Sequence, residues 1–169
     1  TTYNLALKAV ILRPSKGEDV DGAAALEILA SMKKSKFGKP DNISYSTIID
    51  ALGRCSERRK AATGRMCLAL LQEMQDNEEL PSPDRITYNS VLKALASVET
   101  EDMSKTCLEI IEEMKTCENE KNRPDDQTYS ALLRGLANKA EAGNQAALEQ
   151  MSEVLASMGD MTNVIHCNI

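Results

Sequence analysis

Four tyrosines divide this chain into stretches of nearly equal length, and each one opens the same short phrase. The intervals between successive tyrosines are 42, 43 and 41 residues, at Tyr3, Tyr45, Tyr88 and Tyr129. The phrases read TYNLALKAV, SYSTIIDAL, TYNSVLKAL and TYSALLRGL. A recurrence of this period predicts a solenoid of stacked supersecondary units. In such an array we expect function to lie on one face of the molecule and not in a pocket.

Each unit carries two apolar stripes with the spacing i, i+3, i+4 and i+7, which is one face of an α-helix. In the second unit these stripes are Tyr45, Ile48, Ile49 and Leu52, followed by Cys67, Leu70, Leu71 and Met74. The corresponding positions include Ala6 in the first unit and Leu155 in the last. Short polar segments such as 13–20 and 56–60 separate the two stripes of a unit. The pattern therefore predicts helical hairpins whose stripes form the core.

Three junctions between units contain a proline followed by an aspartate, at 40–41, 83–84 and 124–125. Proline interrupts the preceding helix, and the carboxylate can cap the next one. The fourth junction, Met161-Thr162-Asn163, lacks the proline, although Asn163 can also serve as a cap. The predicted units are 1–41, 42–84, 85–125, 126–163 and the start of a fifth at 164–169. The predicted fold is an all-α, right-handed superhelical α-solenoid, with first helices lining one face and second helices the other.

The charge of the chain is unevenly distributed. The formal net charge is −6 and the sequence pI is about 4.9, which does not favour nucleic-acid binding. The predicted first helices (1–13, 43–55, 86–98 and 127–139) nevertheless hold six basic residues against Asp50, a net charge of +5, and the rest of the chain holds −11. We therefore expect a cationic stripe on the concave face and an acidic convex face.

Nothing in the sequence points to catalysis. The chain has one histidine, His166, and we find neither a glycine-rich phosphate loop nor a cluster with metal-ligand spacing. We expect no enzyme activity, no cofactor and no membrane span. The five cysteines are odd in number and unpaired in spacing, which is typical of reduced thiols. The sequence starts without Met and ends within a repeat phrase, so we expect an excerpt of a longer protein, with any targeting segment outside it.

The phrase from Pro83 to Leu92, Pro-Asp-Arg-Ile-Thr-Tyr-Asn-Ser-Val-Leu, resembles the repeat motif of a known family. A Pro-Asp pair, two variable residues, Thr or Ser, Tyr, then Asn or Ser, and a second helix ending in Glu-Met or Ser-Met together resemble the pentatricopeptide repeat. The same phrase begins at Pro40 and Pro124, and the resemblance covers nearly the whole chain. These units are longer than the family's usual unit, with most of the extra residues between the two helices.

The resemblance implies binding of single-stranded RNA, with one base read by two side chains of each repeat. The first reading residue directly follows the tyrosine, and its partner ends the terminal loop of the unit. The implied pairs are Asn4 with Asp41, Ser46 with Asp84, Asn89 with Asp125, and Ser130 with Asn163. By the family's code Asn with Asp favours U, Ser with Asp favours G, and Ser with Asn favours A. The expected target is 5′-U-G-U-A-3′.

Two further sets of residues complete the expected interface. The resemblance implies that the residue two positions before each tyrosine, and Ile165 in the partial unit, stack between bases: Thr1, Ile43, Ile86, Gln127 and Ile165. Lys8, Lys93 and Arg134 each lie four residues after a reading residue, on the same helix face, where they can contact phosphate. Asp50 occupies that position in the second unit, which we expect to hold phosphate poorly.

Two alternatives remain open at this point. The aspartates and Asn163 can be helix caps only, with the Ser and Asn residues merely starting their helices. The array can also be a protein-binding scaffold that uses its acidic convex face or the long inter-helix segments. If the chain is an RNA reader, the resemblance implies a mitochondrial or plastid location and a role in processing, stability, editing or translation of organellar transcripts.

Overall fold

Helices account for all of the regular structure that the computed structural model of the chain describes. The described residues are 2–11, 22–36, 38–54, 60–96, 98 and 101–166. Their α-helices are α1 (Thr2–Ile11), α2 (Gly22–Lys34), α3 (Asn42–Leu52), α4 (Lys60–Asp76), α5 (Arg85–Ala96), α6 (Glu101–Thr116), α7 (Asp126–Glu141) and α8 (Gln145–His166), with a 3₁₀ turn at Glu120–Asn122. Outside these residues lie the predicted inter-helix segment 13–20, residues 56–59 of the predicted segment 56–60, and the predicted stacking residue Thr1. Lys60, the last residue of the second segment, begins α4.

The helices pack as successive hairpins. Each odd-numbered helix contacts the even-numbered helix that follows it, and α1, α3, α5 and α7 also lie side by side. The even-numbered helices α2, α4 and α6 pack in addition against the next odd-numbered helix. The protein is therefore an α-solenoid of helical hairpins, as predicted. We call the surface formed by α1, α3, α5 and α7 the first-helix face.

The predicted stripes form the core wherever two neighbouring hairpins cover them. All members of both stripes in the second and third units are buried: Tyr45, Ile48, Ile49, Leu52, Cys67, Leu70, Leu71, Met74, Tyr88, Val91, Leu92, Leu95, Cys107, Ile110, Ile111 and Met114. Ala6 in α1 and Leu155 in α8 are exposed, which contradicts their predicted place in the core. Both belong to the terminal hairpins, where a neighbouring hairpin packs on one side only of the described structure.

Aspartates precede α3, α5 and α7 and cap them, as predicted. Asp41 is the N-cap of α3 and Asp125 is the N-cap of α7, each in a capping box with the hydroxyl residue three positions later. The carboxylate of Asp84 accepts a hydrogen bond of 2.8 Å from the backbone N–H of Thr87 at the start of α5. Each cap satisfies a backbone donor that has no partner inside its helix.

The fourth junction differs from its prediction. A loop was expected at Met161-Thr162-Asn163, but α8 continues without interruption from Gln145 to His166. Asn163 and Ile165 therefore lie inside a helix, and their side chains are outside the described part of the structure. This segment contains no proline, so every residue keeps the backbone N–H that helix continuation requires. The start of a fifth unit at 164–169 stays a prediction, because residues 164–166 continue α8 and 167–169 are not described.

Candidate functional site

The structure brings together two of the four predicted reading pairs. The side-chain Nδ2 of Asn4 lies 3.2 Å and 3.1 Å from the two carboxylate oxygens of Asp41. The Nδ2 of Asn89 lies 3.2 Å from Oδ1 of Asp125. These partners are 37 and 36 residues apart in the chain, so they meet only because consecutive hairpins stack. Each asparagine is partly buried at the edge of the first-helix face.

Helix capping and pairing occur at the same aspartates. The Oδ1 atom of Asp41 accepts the backbone N–H of Ser44 at 2.8 Å, and Oδ1 of Asp125 accepts that of Thr128 at 3.0 Å. The same carboxylates accept from Asn4 and Asn89. The capping function is thus real, but it does not exclude a second role, because a carboxylate has about four lone-pair sites.

Hydrogen bonds keep both carboxylates ionised. Partial burial raises the pKa of the Asp41 carboxyl, but donors from Ser44 and Asn4 outweigh it, and the pKa lies below its ordinary value of 3.8. The pKa of Asp125 is lowered in the same way, against its burial, by Thr128 and Asn89 and by the positive charge of Arg85. Arg85 Nε lies 3.2 Å from Oδ2 of Asp125. At neutral pH both groups are therefore acceptors only.

These depressed pKa values predict loss of stability in acid. A carboxyl with a folded-state pKa below its unfolded value of 3.8 stabilises the fold above that value, and the contribution disappears as pH falls through the folded pKa. We expect the thermal midpoint to fall below about pH 4, and to fall less in an Asp41→Asn, Asp125→Asn double variant, because Asn also caps helices. Circular dichroism melts between pH 7 and pH 2.5 measure this, and equal acid sensitivity of the two proteins would contradict it.

Of the other two predicted pairs, Ser46 with Asp84 has no hydrogen bond among the described residues, and Ser130 with Asn163 involves a side chain outside them. Ser46 Oγ instead donates to the carbonyl of Ile43 in its own helix, at 3.3 Å. A serine is one bond shorter than asparagine and does not bridge the gap. Ser130 is exposed on α7, and its predicted partner Asn163 lies within α8 instead of in a terminal loop.

The predicted stacking residues project from the first-helix face. Ile43 and Ile86 are 58% and 66% exposed, although isoleucine is one of the residues most often buried. Gln127 occupies the same position of α7 and is also exposed. Ile165 lies in α8 and is not part of this row. Large apolar side chains held in solvent at equivalent positions of two units are surfaces available to a partner.

Two open grooves run between consecutive helices of the first-helix face. One, of about 460 Å³, is lined by Lys8, Ser46, Thr47, Asp50, Arg54, Ile86 and Ser90. The other, of about 450 Å³, is lined by residues that include Lys93, Gln127, Ser130 and Arg134. Each groove thus contains a predicted reading serine, the predicted stacking residue of one unit, and at least one cation.

The predicted phosphate contacts differ in their availability. Lys8 and Arg134 are exposed at the groove margins. Lys93 is exposed as well, but its Nζ lies 3.0 Å from Oδ1 of Asp50, and Arg54 forms a second ion pair with that carboxylate. Burial raises the pKa of Asp50, but the two cations outweigh it and hold the pKa below its ordinary value. Asp50 therefore neutralises Lys93 of the neighbouring unit. In its own unit it occupies the position at which the other units carry a lysine or an arginine.

Three residues of this site have no role predicted from the sequence. Ser44 and Thr128 donate to the side-chain oxygens of Asn4 and Asn89, and Arg85 pairs with Asp125. A signal existed for the first two, since a Ser or Thr precedes the tyrosine in every unit. Arg85 has no equivalent in the other units, where Asn42 and Asp126 follow the capping aspartate, so the repeat pattern could not single it out.

The described residues lack the features of a metal site and of a membrane span. No group of three or more His, Cys, Asp or Glu in the described structure is arranged to hold a metal ion. No described helix is both long enough and apolar enough to cross a bilayer. Cys67 and Cys107 are buried free thiols, and burial raises the pKa of Cys107 to about 12, so this thiol is not a ready nucleophile.

Comparison with known proteins agrees with the repeat pattern. No protein-family model matches the chain. Over 126 residues, or 73% of its length, the chain is 29% identical to a chloroplastic pentatricopeptide repeat-containing protein of Arabidopsis thaliana, and it spans about a fifth (20%) of the length of that relative. This similarity, together with the hairpin architecture, indicates that the chain is built of pentatricopeptide-like repeats.

Proposed function

We propose that this chain is a sequence-selective reader of single-stranded RNA that binds along the first-helix face, one base per repeat. The observation that carries the proposal is the pairing of Asn4 with Asp41 and of Asn89 with Asp125 at 3.1–3.2 Å. Each asparagine contacts its aspartate through the amide nitrogen and accepts the hydroxyl of Ser44 or Thr128 at its oxygen, and an amide has two donor protons and two oxygen lone pairs. The remaining donor and acceptor can meet the N3–H and a carbonyl oxygen of uracil.

The grooves support base stacking between units. Ile86 shares a groove with Ser46 of the preceding unit, so a base that meets Ser46 would also contact the isoleucine side chain. Gln127 and Ser130 share the second groove with Lys93 and Arg134. In protein complexes with single strands, contacts to base faces are each worth about 1–3 kcal/mol. With few units and an acidic chain, we expect dissociation constants in the micromolar range.

The proposed target is 5′-U-G-U-A-3′, firmest at the two U positions, where the Asn–Asp pairs are formed. At the G position, Asp84 has no described contact with Ser46, so its carboxylate can accept from the two donors of a guanine edge. The A position depends on Asn163, which lies in α8, and we expect it to be read least strictly. The chloroplastic relative supports a plastid transcript as the natural target, although a mitochondrial one fits the same chemistry.

Fluorescence anisotropy tests the proposal directly. We expect a labelled RNA containing U-G-U-A to bind more tightly than a scrambled RNA of the same length and composition, at low salt. Equal affinity for both would contradict sequence selectivity. No binding by a folded, helical protein would overturn the proposal and favour a protein-binding scaffold that uses its acidic convex face or the long inter-helix segments.

A single substitution tests the reading role of the third unit. Replacing Asn89 with serine makes its pair equivalent to the second, so preference at the third base should move from U towards G, by about tenfold, as expected for a base contact of about 1–3 kcal/mol. Competition of U-G-U-A with U-G-G-A measures this. Asn77→Ser, the same substitution in the turn after α4, is the control. An Asn89→Ser protein with unchanged base preference would show that Asn89 does not read the base.

A further inference from the structure

A buried hydroxyl stands behind each asparagine that pairs with an aspartate. Ser44 Oγ lies 2.8 Å from Oδ1 of Asn4, and Thr128 Oγ1 lies 2.6 Å from Oδ1 of Asn89. Both hydroxyl residues are fully buried. They belong to the third position of the next odd-numbered helix, 40 and 39 residues further along the chain. The same geometry therefore occurs at two separate places in the structure.

The two partners of each carboxamide determine which way it faces. An ionised aspartate accepts hydrogen bonds only, so it must face the NH₂ group of the asparagine. The oxygen then faces the hydroxyl, which has one proton to give. In both places this proton has a second acceptor, Oδ1 of the aspartate, at 2.7 Å from Ser44 and 3.0 Å from Thr128. The carboxamide is thus attached at two points, its nitrogen to the carboxylate and its oxygen to the hydroxyl.

Attachment at two points fixes the orientation of the carboxamide, whereas attachment at one point does not. A side-chain amide held only through its nitrogen can still turn about its last torsion, which has broad minima. Holding its oxygen as well stops this rotation and gives the free N–H and the free lone pair constant directions. Uracil and cytosine differ in the order of donors and acceptors on the edge that a reader meets. A carboxamide that cannot turn discriminates between them better than one that can.

Ser46, the predicted reading residue of the second unit, and Thr87, the hydroxyl residue at the start of the next odd-numbered helix, provide an internal comparison. Thr87 is also fully buried, and its hydroxyl donates to Oδ1 of Asp84 at 2.8 Å while its backbone N–H is capped by the same oxygen at 2.8 Å. The reading position of that unit is Ser46, whose hydroxyl instead lies near the carbonyl of Ile43. Thr87 therefore shares the structural role of Thr128 in the helix cap, but in the described structure its hydroxyl has no hydrogen bond to the residue at the predicted reading position.

We propose that Ser44 and Thr128 are positioning residues that orient the carboxamides of Asn4 and Asn89 and thereby set the preference of those units for uracil over cytosine. This inference rests on the proposed RNA-binding function. Neither hydroxyl can touch RNA, because both are buried, so each acts through its asparagine. Recognition of one base then needs side chains from two consecutive hairpins, and a reading position is complete only when the next hairpin is docked.

The test replaces the hydroxyl with a methyl group of the same shape. In Thr128→Val we expect the ratio of affinities for U-G-U-A and U-G-C-A to fall by about fivefold towards one, as loss of one net hydrogen bond gives. Thr128→Ser, which restores the hydroxyl, should recover the ratio of the unmodified protein. Thr87→Val should lower the thermal midpoint about as much as Thr128→Val does, because both remove a capping hydroxyl. It should leave the ratio of affinities for U-G-U-A and U-G-C-A unchanged. Ser44→Ala, measured at the first base, repeats the experiment in case Thr128→Val does not fold.

The outcomes separate the inference from the function on which it rests. If the unmodified protein prefers U and Thr128→Val keeps that preference in full, the aspartate alone orients the carboxamide and the inference is wrong. If Thr87→Val reduces the preference at the third base as strongly as Thr128→Val does, the effect is general destabilisation and the inference is again wrong. If the unmodified protein does not distinguish U from C at that position, the proposed function fails together with the inference.

Discussion

Replacing Gly135 with alanine is expected to destabilise the protein by about 1–3 kcal/mol, the usual cost of overpacking. A Cβ atom at this position would lie 2.4 Å from the carbonyl oxygen of Ala96 and 2.5 Å from its Cβ. Both are closer than non-bonded atoms approach. The obstacle is partly backbone, so α7 and α5 would have to move apart, and the buried stripes between them would lose contact.

The expected sign is opposite to that of local helix preference. Alanine in the interior of an exposed helix is favoured over glycine by about 1 kcal/mol, and Gly135 lies in the middle of α7. Destabilisation would therefore show that close packing of two hairpins outweighs propensity. Urea denaturation followed by circular dichroism measures the change, and a stability equal to or above that of the unmodified protein would contradict it.

Gly53 provides a graded control for this substitution. A Cβ there would lie 3.0 Å from Cβ of Ala94, which is tight but within reach of a small adjustment of the two helices. We therefore expect Gly53→Ala to cost less than Gly135→Ala. Gly135 also lines the groove that contains Ser130 and Arg134. A change in the distance between α5 and α7 should for that reason weaken RNA binding at the third and fourth bases.

Helical periodicity predicted the hairpins well because it records which side of each helix is apolar. The stripe that contains Tyr45, Ile48 and Leu52 is buried throughout, since hairpins cover it from both directions. Periodicity does not record whether a neighbour is present. Leu155 fits the same spacing and is 54% exposed in the last hairpin of the described structure. The uninterrupted course of α8 was missed for a related reason, because repeat spacing alone suggested a junction where the sequence lacks proline.

The pairing of Asn4 with Asp41 and of Asn89 with Asp125 was predicted from the family resemblance, which joins the residue after a tyrosine to the aspartate that ends the same unit. The repeat register could have predicted the contact between Asp50 and Lys93, which occupy one position of two adjacent units. The recurring hydroxyl before the tyrosine marks Ser44 and Thr128 in the sequence, but their hydrogen bonds to Asn4 and Asn89 could not be derived from register. A hydroxyl before the tyrosine is explained completely by helix capping, and its bond to an asparagine of the preceding unit depends on side-chain geometry.

The second large effect is expected at Asp50, where an asparagine should strengthen RNA binding. Lys93 Nζ lies 3.0 Å from the Asp50 carboxylate, and Arg54 is paired with it too. The pKa of Asp50 lies below its ordinary value, so the charge is present at neutral pH and attracts both cations away from a ligand. In Asp50→Asn both cations become available to phosphate, in the middle of the row between Lys8 and Arg134.

The salt dependence of the RNA affinity tests this prediction most directly. Each additional phosphate neutralised on a single strand makes the slope of log affinity against log salt steeper by about 0.7, so we expect Asp50→Asn to steepen it by about that amount and to bind more tightly at low salt. Base preference should not change, because phosphate contacts carry no sequence information. Anisotropy titrations of U-G-U-A and its scrambled form over a range of salt concentrations measure both quantities.

A matched variant separates the local effect from net charge. Asp76→Asn makes the same change in charge at an exposed residue at the end of α4, outside both grooves, and should change the slope little because a distant charge is screened. The fold should tolerate Asp50→Asn, since exposed ion pairs contribute about 0–1 kcal/mol. Weaker binding by Asp50→Asn would mean that the carboxylate holds Lys93 and Arg54 in the positions that phosphate requires. Asp50 would then be part of the binding surface and not an interruption of it.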